Sequence, residues 1–313
     1  MDAPLVSVIT LAYNHEPYIA KAIEGVLAQK VGFSFEYIIA EDHSTDNTYS
    51  ICKKFADNNS IIKLVRAEKN LGMVLNEQRA YKLARGKYIA YCEGDDYWID
   101  DEKLQKQVDF LENHDDYGFV GSHIVIDNNG ELSREPSKIP VIKESDGFQL
   151  CGDVFSDAKW GPVCRTCSIM FRKKIVDSYI DDIIGDIVLE TVLAKHSYYA
   201  CYNSYASVYR MGVGVSAAKH DYDKALRYNE YVVKSRLKQK ELFPGDCPWD
   251  EDELDDSTIY IKLKQSIEMF RYVNAMRLKK QLKTDLYKNK NYAKRMKGFF
   301  SFVMVFFLIK LKG

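Results

Sequence analysis

The sequence predicts an α/β protein: a mainly parallel, doubly wound, Rossmann-like sheet flanked by helices, followed by a C-terminal helical extension. Two observations carry that expectation. Short apolar runs alternate with stretches of helical periodicity from Leu5 to Cys92, and acidic or polar loops follow the apolar runs, where ligands of such sheets bind.

Val6-Ser7-Val8-Ile9-Thr10 reads as a buried strand, a loop follows at Ala12 to Glu16, and Pro17 opens a helix with Ile19, Ile23, Val26 and Leu27 on one face. Phe35 to Ala40, Ile61 to Val65 and Tyr88 to Cys92 repeat the strand pattern; Asn47 to Ala56 and Leu75 to Ala84 repeat the helix. After Cys92 the rhythm changes. Asp101 starts a helix carrying Leu104, Val108 and Leu111, and Gly118 to Ile126 is a strand closed by the turn Asn128-Asn129-Gly130. Pro136 to Pro162 is loop-rich, Ser168 to Phe171 a strand, Asp186 to Lys195 a helix and Tyr205 to Arg210 a late strand. Beyond His220 the chain turns helical, charged and tyrosine-rich, broken at Phe243-Pro244-Gly245-Asp246, which reads as a hinge. The expected divisions are an α/β domain over 1–220, a helical extension over 221–290 and a basic, hydrophobic tail over 291–313.

Composition narrows the function. With 313 residues, 46% of them hydrophobic, the chain can bury a full core. Its 44 Lys and Arg against 45 Asp and Glu give no overall positive field, so nucleic acid is not an expected partner. Seven scattered cysteines, with a strand pattern beginning at Leu5 in place of a secretory leader, fit a reducing cytoplasm. Cys164 and Cys167 form one CxxC, but a structural zinc site needs a second pair, so they read as two small residues near a strand.

Glu93, Asp95 and Asp96, separated only by Gly94, place three carboxylates directly after an apolar strand, where repulsion raises their pKa values unless a cation sits among them. Magnesium or manganese answers that need and brings phosphate oxygens into its shell, which implies a diphosphate-bearing substrate. The plainer reading is an acidic turn before the next helix. Glu41-Asp42 follows the second strand in the same way, and Ala12-Tyr13-Asn14-His15 follows the first, so three strand ends converge on one crevice. Neither GxxxxGK[ST] nor GxGxxG occurs, and charge neutralisation therefore falls to a metal.

These residues resemble the family 2 glycosyltransferases of the GT-A fold. The resemblance covers Pro4 to Ser216 and rests on ordered motifs: "SVITLAYNHEPYIAKAIEGVLAQ" within Val6 to Gln29, "EDHSTDNT" at Glu41 to Thr48, and "NLGMVLNEQRAYKLARGKYIAYCEGDDYW" leading into a DXD-type metal motif. It implies that Thr10, Ala12, Tyr13 and Asn14 line a nucleotide, that Asp42 bonds its base, usually uracil, and that Asn76 lies near the ribose or diphosphate. Glu93 and Gly94 would also meet the donor, Asp95 would hold the metal, and Arg210, in a late "YR" segment, would lie near the diphosphate. Asp186, opening a helix after Ile184-Gly185, resembles the family's catalytic base, with Glu190, Asp182 and Asp181 as alternatives; the plainer reading is a helix cap. Two departures stand out. Glutamate occupies Glu93 where many members carry aspartate, and Asn76-Glu77-Gln78 replaces a common Ala-Arg-Asn. His15 and His43 are loop histidines with a possible phosphate or base contact, and Tyr97 and Trp98 either stack on a sugar or seat the loop in the core.

The function so implied is an inverting, metal-dependent transfer of a hexosyl or N-acetylhexosaminyl group from a UDP-sugar to a glycan or lipid-linked acceptor, as in surface polysaccharide synthesis. Two rivals are a sugar nucleotidyltransferase, which ordinarily carries a glycine-rich N-terminal loop absent here, and a non-catalytic, membrane-associated assembly partner. The tail from Phe299 to Leu311 is apolar but spans only about 20 Å as a helix, short for a bilayer. With Lys288, Lys290, Lys294, Arg295 and Lys297 before it, the tail reads as an interfacial anchor placing the protein at the inner face of the cell membrane; the alternative is packing on the domain or on a second subunit of a homo-oligomer.

Overall fold

The computed structural model describes residues 3–159, 161–213 and 222–246. Strand β1 (Val6–Ala12) leads to α1 (Ile19–Leu27), β2 (Phe35–Glu41) to α2 (Thr48–Asn58), β3 (Ile62–Arg66) to α3 (Met73–Leu83), and β4 (Tyr88–Tyr91) to the short β5 (Tyr97–Trp98) and α4 (Lys103–Asn113). Then come β6 (Tyr117–Asn128), β7 (Glu131–Glu135), β8 (Lys143–Ser145), β9 (Phe148–Gly152), α5 (Phe155–Ala158), β10 (Met170–Arg172), α6 (Lys173–Val176), α7 (Asp186–His196), β11 (Tyr198–Met211) and α8 (Tyr222–Leu242).

One sheet runs β3-β2-β1-β4-β10-β6-β11-β9-β8. Neighbours from β3 to β4 are parallel, β10 runs antiparallel between β4 and β6, and β11 is parallel to β6. The chain steps outward from β1 through β2 to β3, then returns to lay β4 on the other side of β1. Strand order therefore reverses between β1 and β4, and the reversal opens a crevice at their carboxyl ends.

Period-two alternation explains why these strands read as unbroken apolar runs. Val6 and Val8, Tyr37 and Ile39, and Tyr88 and Ala90 face one core with α1 and α4; Ile9, Ile38 and Ala40, and Ile89 and Tyr91 face the other with α3 and α7. Both faces are covered, so no polar alternation survives in the sequence.

The structure corrects several element boundaries. The region expected to be loop-rich, 136–162, contains β8, β9 and α5. The late strand begins at Tyr198, not Tyr205, because register shifts around Tyr202 and Tyr205 absorb the polar Asn203-Ser204 pair that looks like a turn. β7 is almost wholly exposed and so lacks an apolar face to announce it. It pairs with β6 across Asn129 and Gly130, both at positive φ, as the Asn-Asn-Gly signal requires.

Helix α8 packs on α7. Ser235 and Gln239 are buried, Gln239 Nε2 donates to Thr191 Oγ1 at 2.6 Å, and Lys238 pairs with Asp182 at 3.2 Å. The segment read as a hinge is held as well: Phe243 is buried near Phe155 and Tyr179, and Asp246 accepts from Lys195 at 2.6 Å. Among the described residues no helix is long and apolar enough to cross a membrane; the tail at 291–313 and its preceding basic residues lie outside them. Truncating Phe243→Ala is expected to destabilise the chain by about 3–5 kcal/mol, the usual cost of emptying an aromatic core position. A urea midpoint unchanged from the parent protein would contradict the docking of this segment.

Candidate active site

The loops after β1 and β2 brace one another. Asn14 N donates to Ser44 Oγ at 3.0 Å, Thr45 N donates to Asn14 Oδ1 at 2.9 Å, and His15 N donates to Thr48 Oγ1 at 2.8 Å. Asn14 and His43 sit at positive φ, which turns each loop sharply off its strand. Tyr13 is left exposed at the crevice while Ala12 is buried beneath it. Thr10 is also fully buried, its hydroxyl joined to Cys92 O at 2.6 Å and to Tyr37 Oη at 2.9 Å. Its side chain therefore supports the crevice floor and does not line the expected nucleotide site.

Asp42 is buried, and its two oxygens accept from Leu71 N at 2.8 Å and Gly72 N at 2.9 Å. A carboxylate has about four lone-pair sites, so room for a further donor remains. Asn76 differs. Its Nδ2 donates to Ala40 O at 2.9 Å and its Oδ1 accepts from Arg79 at 2.6 Å, so both ends of the amide join α3 to β2 and neither reaches the expected ribose or diphosphate. Arg79 also donates to Val65 O and Glu41 O, so it does not replace the missing family arginine. Glu77, at that arginine's position, is buried with its carboxyl pushed up to about 7, by burial first, while a hydrogen bond from Tyr91 opposes the rise.

At the end of β4 the acidic loop folds back over β1, with Gly94 N donating to Leu11 O at 3.1 Å. A Cβ at Gly94 would lie 2.5 Å from His15 Nδ1, so only glycine lets the two loops close this tightly. Asp95 Oδ2 stands 4.0 Å from His15 Nε2; burial lowers the imidazole's pKa, which Asp95 partly offsets. Burial pushes the Glu93 and Asp96 carboxyls well up, and their repulsion adds to it. Arg210 latches this loop to β11: its N–H donates to Asp96 Oδ1 at 2.8 Å and its Nη1 to Asp95 O at 2.5 Å, while its guanidinium lies over Tyr97 and Tyr18. The arginine expected beside the diphosphate thus organises the acidic rim.

Sequence reasoning missed Cys167. Its thiol shares a cluster with Glu93 and Asp96 whose donor atoms all lie within 4.8 Å of one another, while Glu93 Oε2 is buried without a hydrogen bond. The CxxC reading stopped at zinc and carried no signal that β10 would bring this thiol under the acidic loop. Two carboxylates and a thiol within reach of one point, one carboxylate oxygen lacking a hydrogen bond, are a donor set that fits a divalent cation. Tyr97 and Trp98 form β5 against β11; both are buried, and Trp98 Nε1 donates to Cys167 O at 2.7 Å, so they seat the loop.

Asp186 is the first residue of α7, with Gly185 as the cap. Its Oδ1 accepts from Ile187 N at 2.9 Å and from the hydroxyl of Tyr231. The alternatives are otherwise engaged. Asp181 pairs with Lys82 at 2.5 Å, Asp182 with Lys238, and Glu190 is buried, accepting from Val163 N at 2.6 Å and Cys164 N at 3.3 Å. Asp186 alone of the four is half-buried without a cation partner among the described residues.

The ordered crevice motifs and this sheet can be set beside known proteins. The profile of glycosyl transferase family 2 matches residues 7–179, more than half of the chain. The chain belongs to glycosyl transferase family 2. A putative teichuronic acid biosynthesis glycosyltransferase of Bacillus subtilis is 35% identical over 132 residues, covering 42% of this chain and 52% of the relative. An Escherichia coli UDP-Glc:α-D-GlcNAc-diphosphoundecaprenol β-1,3-glucosyltransferase is 34% identical over 145 residues, 46% of this chain and 56% of the relative. The matched stretches span from about a third to just over half of the curated relatives' lengths. Among solved structures, Staphylococcus aureus TarS with UDP-GlcNAc superposes with a TM-score of 0.54 at 16% identity, covering 84% of this chain and 80% of that one. A Pyrobaculum calidifontis mannosyltransferase with GDP-Man and Mn2+ gives 0.52 at 16% identity, covering 84% and 70%. These share the GT-A fold, a large sheet flanked by helices.

Burial raises the Glu190 carboxyl to about 8, with the Asp186 charge adding to the effect. The native state therefore keeps a proton that the unfolded chain releases above its ordinary pKa, so stability falls as pH rises from about 4.5 to about 8 and then levels. Glu190→Gln keeps an acceptor for Val163 N and removes that titration. Its thermal midpoint is expected to decline less over this window, with the remaining slope coming from the other raised carboxyls, Glu77, Glu93 and Asp96. A pH profile superimposable on the parent's would refute the assignment.

Proposed function

We propose that this family 2 glycosyltransferase moves a hexosyl or N-acetylhexosaminyl group, with inversion, from a UDP-sugar to a hydroxyl of a glycan or lipid-linked acceptor. The observation that carries the reading is that the acidic loop at Glu93 to Asp96 leaves β4 where the strand order reverses, braced beside the β1 loop, while the charge of the half-buried Asp186 reaches Glu77, which in turn acts on Glu93. Relatives named for glucosyl transfer to a diphosphoundecaprenol-linked sugar support the choice of donor and acceptor class.

Tyr13 and the braced loop at Asn14 border the nucleotide, and Asp42 offers its remaining lone pairs to the base. Asp95, backed by Glu93 and Asp96, is the group assigned to a divalent cation. Magnesium or manganese bound there supplies Lewis-acid stabilisation of the departing diphosphate. Asp186 accepts the acceptor's hydroxyl proton as that oxygen bonds to the anomeric carbon, on the face opposite the leaving nucleotide. General-base help of this kind is worth about 10² to 10⁴ in rate.

A lipid-linked acceptor would call for action at the cytoplasmic face of the membrane, and the basic, hydrophobic sequence of 291–313 is the segment we assign to that contact. The discriminating experiment screens UDP-glucose, UDP-galactose, UDP-GlcNAc and GDP-mannose for release of nucleoside diphosphate with Mn2+ or Mg2+. Turnover is expected with a UDP-sugar and is expected to vanish in EDTA; a rate untouched by chelator removes the cation from the scheme. Asp186→Asn should lower turnover by about 10² or more with little change in nucleotide affinity. Normal transfer by that variant would transfer the base role elsewhere.

A further inference from the structure

Tyr231 reaches the candidate base from outside the stretch that defines the family. The profile match ends at residue 179, whereas Tyr231 lies on α8. Its hydroxyl donates to Asp186 Oδ1 and also accepts from Ile187 N at 3.4 Å. The approach is built into the preceding turn. Gly185 has φ +134°, a conformation L side chains rarely adopt, and a Cβ there would lie 2.5 Å from Tyr231 Oη and 2.7 Å from its Cε2. A bare backbone at this point lets the phenol ring lie flat against the turn that presents Asp186.

We propose that Tyr231 is a positioning residue for Asp186, fixing the carboxylate through Oδ1 so that proton acceptance falls to Oδ2. The inference deepens the proposed mechanism and rests on its assignment of Asp186 as the base. Both donors to Asp186 meet the same oxygen, and among the described residues none is directed at Oδ2. The phenol remains a donor throughout the working range, because burial and the neighbouring Asp186 charge push its pKa well above the ordinary value. A hydroxyl-to-carboxylate bond is charge-assisted, and it selects one rotamer of a short side chain. The helix that carries the ring is itself docked: Gln239 Nε2 donates to Thr191 Oγ1 and Lys238 pairs with Asp182, which ties the later turns of α8 to α7 and to the segment before it. Tyr231 thus sits on a seated helix, and Asp186 is oriented by a part of the chain remote in sequence.

The test uses the full chain and Tyr231→Phe, which keeps the ring and removes only the hydroxyl. Carbodiimide with glycine ethyl ester modifies accessible carboxylates, and fragment mass spectrometry reads Asp186 and Asp182 separately. Labelling of Asp186 is expected to rise about three-fold or more on loss of one hydrogen bond. Asp182, whose partner Lys238 is on the same helix, should not change. Equal labelling of Asp186 in both proteins, or a parallel rise at Asp182, overturns the proposal. With whichever screened nucleotide sugar is turned over, Tyr231→Phe should lower kcat about ten-fold and leave the donor KM unaltered. An unaltered kcat likewise overturns it. Asp186→Asn separates the two ideas: if that variant turns over normally the base assignment fails, while the labelling arm still decides whether Tyr231 holds the carboxylate.

Discussion

Glu93, Asp95 and Asp96 leave β4 within four residues, where desolvation first and neighbouring carboxylates second raise the pKa values of Glu93 and Asp96. The surrounding architecture holds that loop in place. Arg210 contacts the loop through Asp96 Oδ1 and the Asp95 carbonyl, two bonds that fix its path while leaving the Asp95 carboxylate beside His15. β5 pairs with β11, and Trp98 is anchored to Cys167 O, so the loop is closed at both ends. Two carboxyls driven toward their neutral forms, one with an oxygen buried and unbonded, are groups whose ionisation a cation would favour, and the reversal of strand order between β1 and β4 is where an open α/β sheet has room for a ligand.

Much of this was legible from residue order, for a physical reason. Strands covered on both faces appear as apolar runs, and loops that carry ligands interrupt them with carboxylates and asparagine, so β1 to β4 and their acidic ends could be read from Val6, Phe35, Ile62 and Tyr88 onward. What could not be read depends on contacts distant in sequence. Cys167 meets Glu93 and Asp96 only because β10 is inserted antiparallel beside β4. Asn76 looks like a polar residue offered to a ligand, yet Arg79 and Ala40 O consume its amide. Thr10 follows the pattern of a lining residue, and its alternation in β1 turns it inward onto Cys92 O.

The same distinction separates the carboxylates near α7. Asp181, Asp182, Asp186 and Glu190 are chemically almost equivalent in sequence, and their surroundings divide them. Lys82 and Lys238 claim the first two, and the amides of Val163 and Cys164 claim the last, where burial keeps it protonated over much of the neutral range. Asp186 is left with neighbouring acids and a phenol. Burial raises the Glu77 and Glu190 carboxyls first, and the nearby Asp186 adds to the rise in both.

An orienting contact from α8 also bears on how members of one family come to act on different acceptors. The β1 to β4 loops that border the donor lie within the matched stretch, residues 7–179, whereas Asp186 and Tyr231 lie beyond it. Donor chemistry is shared across a family and constrains its loops, but an acceptor hydroxyl must be met by a base whose rotamer suits that acceptor. In the proposed mechanism the base lies on α7 and its orienting phenol on α8, so a change in α8 would alter the acceptor side while leaving the acidic loop as it is. The glycine at position 185 is the local requirement of that arrangement, since any side chain there would displace the Tyr231 ring from the turn that carries Asp186.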